Sequence, residues 1–445
     1  MPSDSATAPI PFATAPLPLA AAFDGGRLTS DGGLPWLAEA DAALGLCAAF
    51  AADLPEWRRG APRHSRETLV RQRVFQIACG SEDQDDADTL RHDPLLKLAC
   101  GRAPDTGAAL ASQPTLSRLE NAAGRHACYR LALALLAVYL AERERDGVPA
   151  RVVLDLDGTA DPTHGDQEGS AYHGYYGQHM YHPLLVFDGT TGQLITAILR
   201  PGTAHAGRGV LSLLKRLVPR LRARWPDVAL ELRADSGFAS PRLYAYCEAE
   251  GLGYTIGLVP NPRLHDLAAP QLATAEAQRA AGTDPAAKLR LVGEFAYQAD
   301  SWDRDRRVVV KTELLPKGPN VRFVVTSRPD APLDLYDWYV DRGAAEGWIK
   351  DFKNACRADR LSCHAFWANQ LRLLLHAAAY WLLDTLRRWL AQAGAPRTQL
   401  DTLRLRLLKV AGRVYQRPAR VLLRLASSHP GQPLWTLLAH RPGRP

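Results

Sequence analysis

From about residue 26 to 148 apolar positions recur every three or four residues between Gly-, Pro- and Asp-rich breaks, as in Ser65–Cys79, Ser112–Ala122 and Cys128–Arg145. That period predicts amphipathic helices and no strand. At 151 the texture changes. Val152–Asp157, Tyr181–Phe187 and Gln193–Leu199 read as strands, and the "DGTTG" between the last two has hairpin-turn chemistry. A helix is expected over about Gly209–Trp225, with Val210, Leu211, Leu213, Leu214, Leu217, Val218 and Leu221 on its buried stripe. The strand "VALELRA", a helix at 241–250 and a strand at 253–259 complete the order strand, strand, strand, helix, strand, helix, strand. After a helical connection, "KLRLVGEFAYQA", "RRVVVKTELL" and "VRFVVTS" alternate like an antiparallel meander and read as an insertion. Helices are expected again over about Asp334–Asn354 and Ala365–Gln392.

The pattern is that of an α/β protein, divided at 1–25 (a flexible segment), 26–148 (helical), 149–262 (core, first part), 263–330 (β-rich insertion), 331–395 (core, second part) and 396–445 (basic). Lys and Arg number 54 against 47 Asp and Glu, a net charge of +7 that favours a polyanionic partner. Nucleic acid is favoured over membrane because no amphipathic basic terminus stands out. Residues 1–23 lack the charged start of a signal peptide, and the apolar run Leu131–Leu140 is too short to span a bilayer, so a cytosolic protein is expected. The odd, scattered set of seven cysteines argues against a disulfide framework. Cys356, Cys363 and His364 lack a fourth zinc ligand nearby, which favours cysteines packed in the interior. Arg58, Arg59, Arg63, Arg66, Arg71 and Arg73 crowd a short interval, as a phosphate-contacting face or a solvated helix surface. The tail from 401 holds one acid, Asp401, and bases that include Arg413, Arg417 and Arg420.

Candidate chemistry begins at "VVLDLDGT", residues 152–159. Asp155 and Asp157 are two apart on a strand and share a face. A second acid, Asp235, ends the strand "VALELRA" in "ADSGF". A lone strand-end Asp is usually a turn former. Two of them at the carboxyl ends of neighbouring strands lie where open sheets place their sites. The third piece is "YVDRGAAEGWIKDFK", Tyr339–Lys353. On one continuous helix, at about 100° per residue, Arg342, Glu346, Ile349 and Lys353 fall within roughly 60° of one another. The structural alternative is a pair of ordinary i,i+4 ion pairs, Arg342 with Glu346 and Glu346 with Lys350, worth about 0.2–0.5 kcal/mol each.

Tyr339, Arg342, Glu346 and Lys353 match, at every spacing, the Tyr-Arg-Glu-Lys signature of DDE transposases of bacterial insertion sequences. "LDLDGTADPTHGDQEG", "LRADSGFA" and "FWANQLRLLLHAAAYWLL" resemble the insertion sequence 1380 family in particular, and the likeness runs from about residue 20 to the end. The resemblance implies a DNA transposase with an RNase H-like core, a mixed five-stranded sheet with flanking helices interrupted by a β-rich insertion. An N-terminal helical DNA-binding or dimerisation domain and a basic C-terminal region would flank it. It implies catalytic, metal-binding acids at Asp157, Asp235 and Glu346, with Asp155 in reserve, that bind two Mg²⁺ ions per site, replaceable by Mn²⁺. Tyr339, Arg342, Lys350 and Lys353 would contact DNA, joined by Arg413, Arg417 and Arg420. The partners would be double-stranded DNA, as terminal inverted repeats and target, and a second copy of the chain in the DNA complex.

Two rivals remain to be weighed. "DLDGT" also resembles the nucleophile loop of haloacid-dehalogenase-like phosphatases. Thr159 is followed by "ADPTHGDQEGSAYHGYYG" and no later Gly-Asp-x-x-x-Asp run appears, which argues against that reading. A catalytically inactive, DNA-binding descendant of a transposase would be free to lose an acid, and all three are present. His164, His173, His179, His182 and His205 cluster in sequence around the first strands, but Mg²⁺ chemistry prefers oxygen ligands, so phosphate contacts or hydrogen bonds are their plainer role.

Overall fold

The computed structural model describes residues 10–12, 17, 19–145, 147–282 and 289–441. It divides into two compact units, one of Met1–Ala122, Ala355–Arg357 and Ala378–Pro445, the other of Ala123–Asn354 and Ala358–Ala377.

In the first unit, helices Leu34–Leu44, Leu46–Asp53, Arg66–Ala78 and Gln113–Asn121 bury Leu37, Phe50, Leu69, Val70, Phe75 and Leu116 completely. Ser65 starts the third of these by accepting a hydrogen bond from the Thr68 amide. Four arginines of the arginine-rich interval are engaged within the unit, while Arg59 and Arg63 are exposed. Arg73 is fully buried and paired with Glu120, Arg71 bonds Asp41 and Glu67, Arg66 donates to the Leu54 carbonyl, and Arg58 grips Glu56. Of these four, only Arg71 with Asp41 and Arg73 with Glu120 find their acids on another helix. Strands occur where the helical period hid them: Ile10–Phe12 pairs with Leu19–Ala21, and Leu28–Thr29 joins a three-stranded sheet with two strands of the tail.

The second unit is built on one eight-stranded mixed sheet. Its strands are β1 (Arg151–Gly158), β2 (Leu184–Asp188), β3 (Leu194–Ile198), β4 (Ala229–Ala234), β5 (Gly253–Leu258), β6 (Leu289–Tyr297), β7 (Arg306–Leu315) and β8 (Gly318–Thr326), in the order β6-β7-β8-β5-β4-β1-β2-β3. β4 runs parallel to both β1 and β5, and the other pairings are antiparallel. The expected meander exists, but β8 pairs with β5, so the meander extends the main sheet rather than forming a sheet of its own. The strand expected over Tyr181–Phe187 is divided. Tyr181 ends a small three-stranded sheet (Asp161–Pro162, Ala171–His173, Gln178–Tyr181), and β2 starts after Pro183, which has no amide to donate to a ladder.

Around the sheet lie α1 (Arg125–Arg143), α2 (Val210–Arg224), α3 (Pro241–Ala249), α4 (Pro262–Ala281), α5 (Pro332–Val340), α6 (Ala344–Cys356) and α7 (Phe366–Gln392). Val152, Leu154, Leu156, Leu185, Phe187 and Leu232 form the sheet's solvent-free centre. The outer edge of β3 is closed by a side chain: the Gln370 amide donates to the Ala197 carbonyl and accepts from the Leu199 amide. An edge whose backbone groups are occupied does not recruit a foreign strand. No single helix among the described residues is long and apolar enough to cross a membrane.

Candidate active site

The parallel register pairs Arg233 with Asp155 and Ala234 with Leu156, so the next residues, Asp235 and Asp157, emerge side by side at the carboxyl ends of β4 and β1. Gly158 follows Asp157 because a side chain there would meet His182: a Cβ would lie 2.7 Å from His182 Nε2. Asp235 turns the chain as well, its Oδ1 accepting from the Gly237 amide at 2.8 Å to start a short 3₁₀ turn over Ser236–Phe238.

Tyr339–Lys353 is not one helix. α5 ends at Val340, a 3₁₀ turn covers Asp341–Gly343, and α6 begins at Ala344. Gly343 weakens a continuous helix by roughly 0.5–1 kcal/mol, and the break lets Arg342 leave the stripe and reach across to Asp157, Nη1 to Oδ2 at 3.3 Å. The i,i+4 pair between Arg342 and Glu346 is therefore replaced by a long-range ion pair. Glu346 falls in the first turn of α6 and is solvent-exposed. There the helix dipole favours a carboxylate. Tyr339 donates its hydroxyl to the Ala234 carbonyl at 3.4 Å. Lys353 Nζ donates to the Ala160 carbonyl at 2.7 Å and stands 3.7 Å from Asp359. Lys350 is exposed on the same helix.

Electrostatics ties these groups together. Burial pushes the Asp157 carboxyl up to about 6; Arg342 opposes the rise, and the charges of Asp235 and Glu346 add to it. Burial works against the charge of Arg342, yet Tyr339, Asp157 and Asp235 outweigh it and raise its pKa. Burial, with Asp235 and Asp157 adding, raises Tyr339 despite Arg342. Asp157, Asp235, Glu346, Arg342 and Tyr339 thus form one interacting set.

Asp155, the reserve acid, has another fate. It is completely buried and gripped at both oxygens by Arg233, Nε to Oδ1 and Nη2 to Oδ2 at 2.7 Å each. Trp338 stacks on Arg233 from 4.8 Å and on Arg328 from 4.1 Å. Gly189 completes the enclosure, since a Cβ there would lie 2.5 Å from Asp155 Oδ2. Sequence reasoning passed over Arg233, although strand alternation puts it on the face of Asp235 and register puts it opposite Asp155. It also passed over the turn between Ala171–His173 and Gln178–Tyr181. Tyr176 in that turn is raised by burial and by the charges of Asp157 and Asp235, and its ring lies 6.0 Å from that of His182.

Among the described residues no group of three or more His, Cys, Asp or Glu side chains is spaced to hold a metal ion as it stands. His173 and His182 meet ring to ring at 5.4 Å, and all seven cysteines are buried and unbridged. Asp157, Asp235 and Glu346 nonetheless offer the donor chemistry of a hard divalent cation, carboxylate oxygens, and the charges of Asp235 and Glu346 raise the proton affinity of Asp157.

A family model described as transposase DDE domain group 1 matches residues 14–441. A comparison with curated proteins found no match. Among solved structures, a piggyBac transposase synaptic complex with hairpin DNA, determined by cryo-electron microscopy, is similar at 12% identity and a TM-score of 0.43, covering 86% of this chain and 80% of that one. That likeness is too distant to carry a residue's role across.

Proposed function

Because the chain belongs to the transposase DDE domain group 1 family, we propose that it binds the ends of an insertion sequence as double-stranded DNA, cleaves them, and joins them to target DNA by cut-and-paste transposition. The observation that carries this reading is the shared field of Asp157, Asp235 and Glu346 at the ends of β1 and β4 and the start of α6. Five strands in the order β3-β2-β1-β4-β5 support the reading of the core as RNase H-like. The phosphatase alternative has no support from the family match.

Asp157, Asp235 and Glu346 are the proposed ligands of two Mg²⁺ ions. Such ions, when bound, activate the attacking water and stabilise the leaving oxygen of a phosphodiester. Asp155 is excluded from this set because Arg233 occupies both its oxygens. Arg342 holds Asp157 in place and offers its remaining donors to a phosphate beside the reacting bond. Lys353, anchored on the Ala160 carbonyl, and the exposed Lys350 extend the cationic side of α6 toward the DNA backbone. Tyr339 shapes the wall against which the terminal nucleotides lie. The basic C-terminal residues Arg413, Arg417 and Arg420 add to duplex affinity, and two copies of the chain would pair two element ends.

The test is cleavage of a plasmid carrying the element's ends by wild type, Asp157→Asn, Asp235→Asn and Glu346→Gln with Mg²⁺ or Mn²⁺. Each variant is expected to lose end cleavage while still binding the end in a mobility-shift assay. Wild-type protein that binds ends and never cuts them would identify an inactive descendant. Binding lost with cleavage in all three variants would mean the acids hold the fold.

A further inference from the structure

The tail is not an irregular basic extension. β9 (Gly412–Arg417) and β10 (Arg420–Leu425) form an antiparallel ribbon that Leu28–Thr29 joins only at Gly412 and Arg413, with Arg413 directly opposite Arg424, Tyr415 opposite Leu422 and Arg417 opposite Arg420. Strand alternation puts all six on one face. The other face carries Val414, Val421, Leu423 and Leu425, of which Val414 is 3% exposed. The four arginines are all exposed. Arg413 and Arg424 lie over the Tyr415 ring at 5.1 and 5.6 Å. Among the described residues no carboxylate pairs with any of the four.

Like charges directly opposite each other on neighbouring strands destabilise the pairing. This ribbon contains two such pairs with no acid between them, so beyond the contacts of Arg413 and Arg424 with the Tyr415 ring its arginine face works against the pairing. The pairs are four residues apart, about 13 Å at a strand's rise, and the major groove of B-DNA is about 12 Å wide and admits a two-stranded ribbon. We propose that the β9–β10 ribbon docks on a duplex groove, Arg413 with Arg424 on one phosphate rim and Arg417 with Arg420 on the other, Tyr415 and Leu422 facing the floor between them. The proposal deepens the transposase reading and rests on it, adding Arg424, Tyr415 and a defined geometry to the basic tail. Each pair removes two phosphate charges.

The experiment measures full-length protein binding to a labelled duplex of the element's end by fluorescence anisotropy over a salt series, alongside thermal melting. Arg413→Gln with Arg424→Gln, and separately Arg417→Gln with Arg420→Gln, should each flatten the slope of log affinity against log salt by about 1.8. Arg424→Glu converts a repelling pair into an attracting one, so it should raise the melting temperature while weakening DNA binding. A structural role predicts the two falling together, and that result would overturn the proposal. Unchanged slopes in both double variants would overturn it too, as would equal losses on single-stranded DNA, which has no groove. Wild-type protein with no salt-dependent duplex binding would instead sink the transposase reading itself.

Discussion

Asp157→Asn should make the metal-free protein more stable while abolishing its chemistry. The Asp157 carboxyl is lifted from 3.8 to about 6 by burial, with Asp235 and Glu346 adding to the rise. A shift of about two units corresponds to about 3 kcal/mol between the charged and neutral forms. A raised carboxyl contributes stability that is complete below its unfolded value and lost as pH rises through the folded one. Wild type therefore loses stability between about pH 4 and pH 6, and the asparagine variant does not. The pull of Arg342 is already contained in that shift, so the gain is at most about 3 kcal/mol. At roughly 2–4 °C per kcal/mol for a unit of this size, the melting temperature should rise by several degrees at pH 7.5 in EDTA and not at all at pH 3.5. Added Mg²⁺ should raise wild type and leave the variant unmoved. A variant less stable than wild type at pH 7.5 without metal, or a difference independent of pH, would refute the argument that burial, with Asp235 and Glu346 adding, penalises the charge of Asp157.

Asp155→Asn and Arg233→Met should each cost about 3–5 kcal/mol in denaturant unfolding by stranding a buried charge, and the double variant less than their sum; additive losses would mean the two are not coupled. Gly189→Ala should be comparably harmful, because its Cβ would lie 2.5 Å from Asp155 Oδ2 and 2.6 Å from Arg233 Nη2; a melting curve matching wild type would show that the pair can move. Glu346→Ala should change stability by no more than about 0.5 kcal/mol, as expected of an exposed side chain, while ending cleavage of DNA ends; retained cleavage would remove Glu346 from the site.

The order of elements in the second unit was legible because strands and helices there alternate in period, and the positions of Asp157 and Asp235 followed from strand ends alone. What periodicity hides is the partner of each charge. Arg73 reads as surface helix and is buried on Glu120, 47 residues away. Arg342 reads as one face of a helix and instead meets Asp157, 185 residues away. Both outcomes depend on tertiary neighbours that no local window contains. The same holds for the meander, whose attachment to β5 is a pairing across the helix Pro262–Ala281. The ribbon was hidden by its composition, since arginine on alternate positions weakens the apolar period by which a strand is recognised.

The pairing of charges separates scaffold from function in this molecule. As a rule an enclosed charge here has an opposite, as Asp155 has Arg233 and Glu120 has Arg73, although Asp161, 1% exposed, has no hydrogen-bond partner among the described residues on either oxygen and its carboxyl is raised by burial. Glu248, lowered to about 2 as the hydrogen bonds from Arg306, Arg304 and Tyr254 outweigh burial, keeps the rule. Two further places break it in opposite senses. At the ends of β1 and β4 Asp157 and Asp235 share the neighbouring Arg342, and the charge of Glu346 at the start of α6 also bears on Asp157, an excess of negative charge. On β9 and β10 four guanidinium groups share no carboxylate among the described residues, and the strand register sets them against each other. On the proposed reading the first excess would be complemented by divalent cations and the second by the phosphates of a duplex.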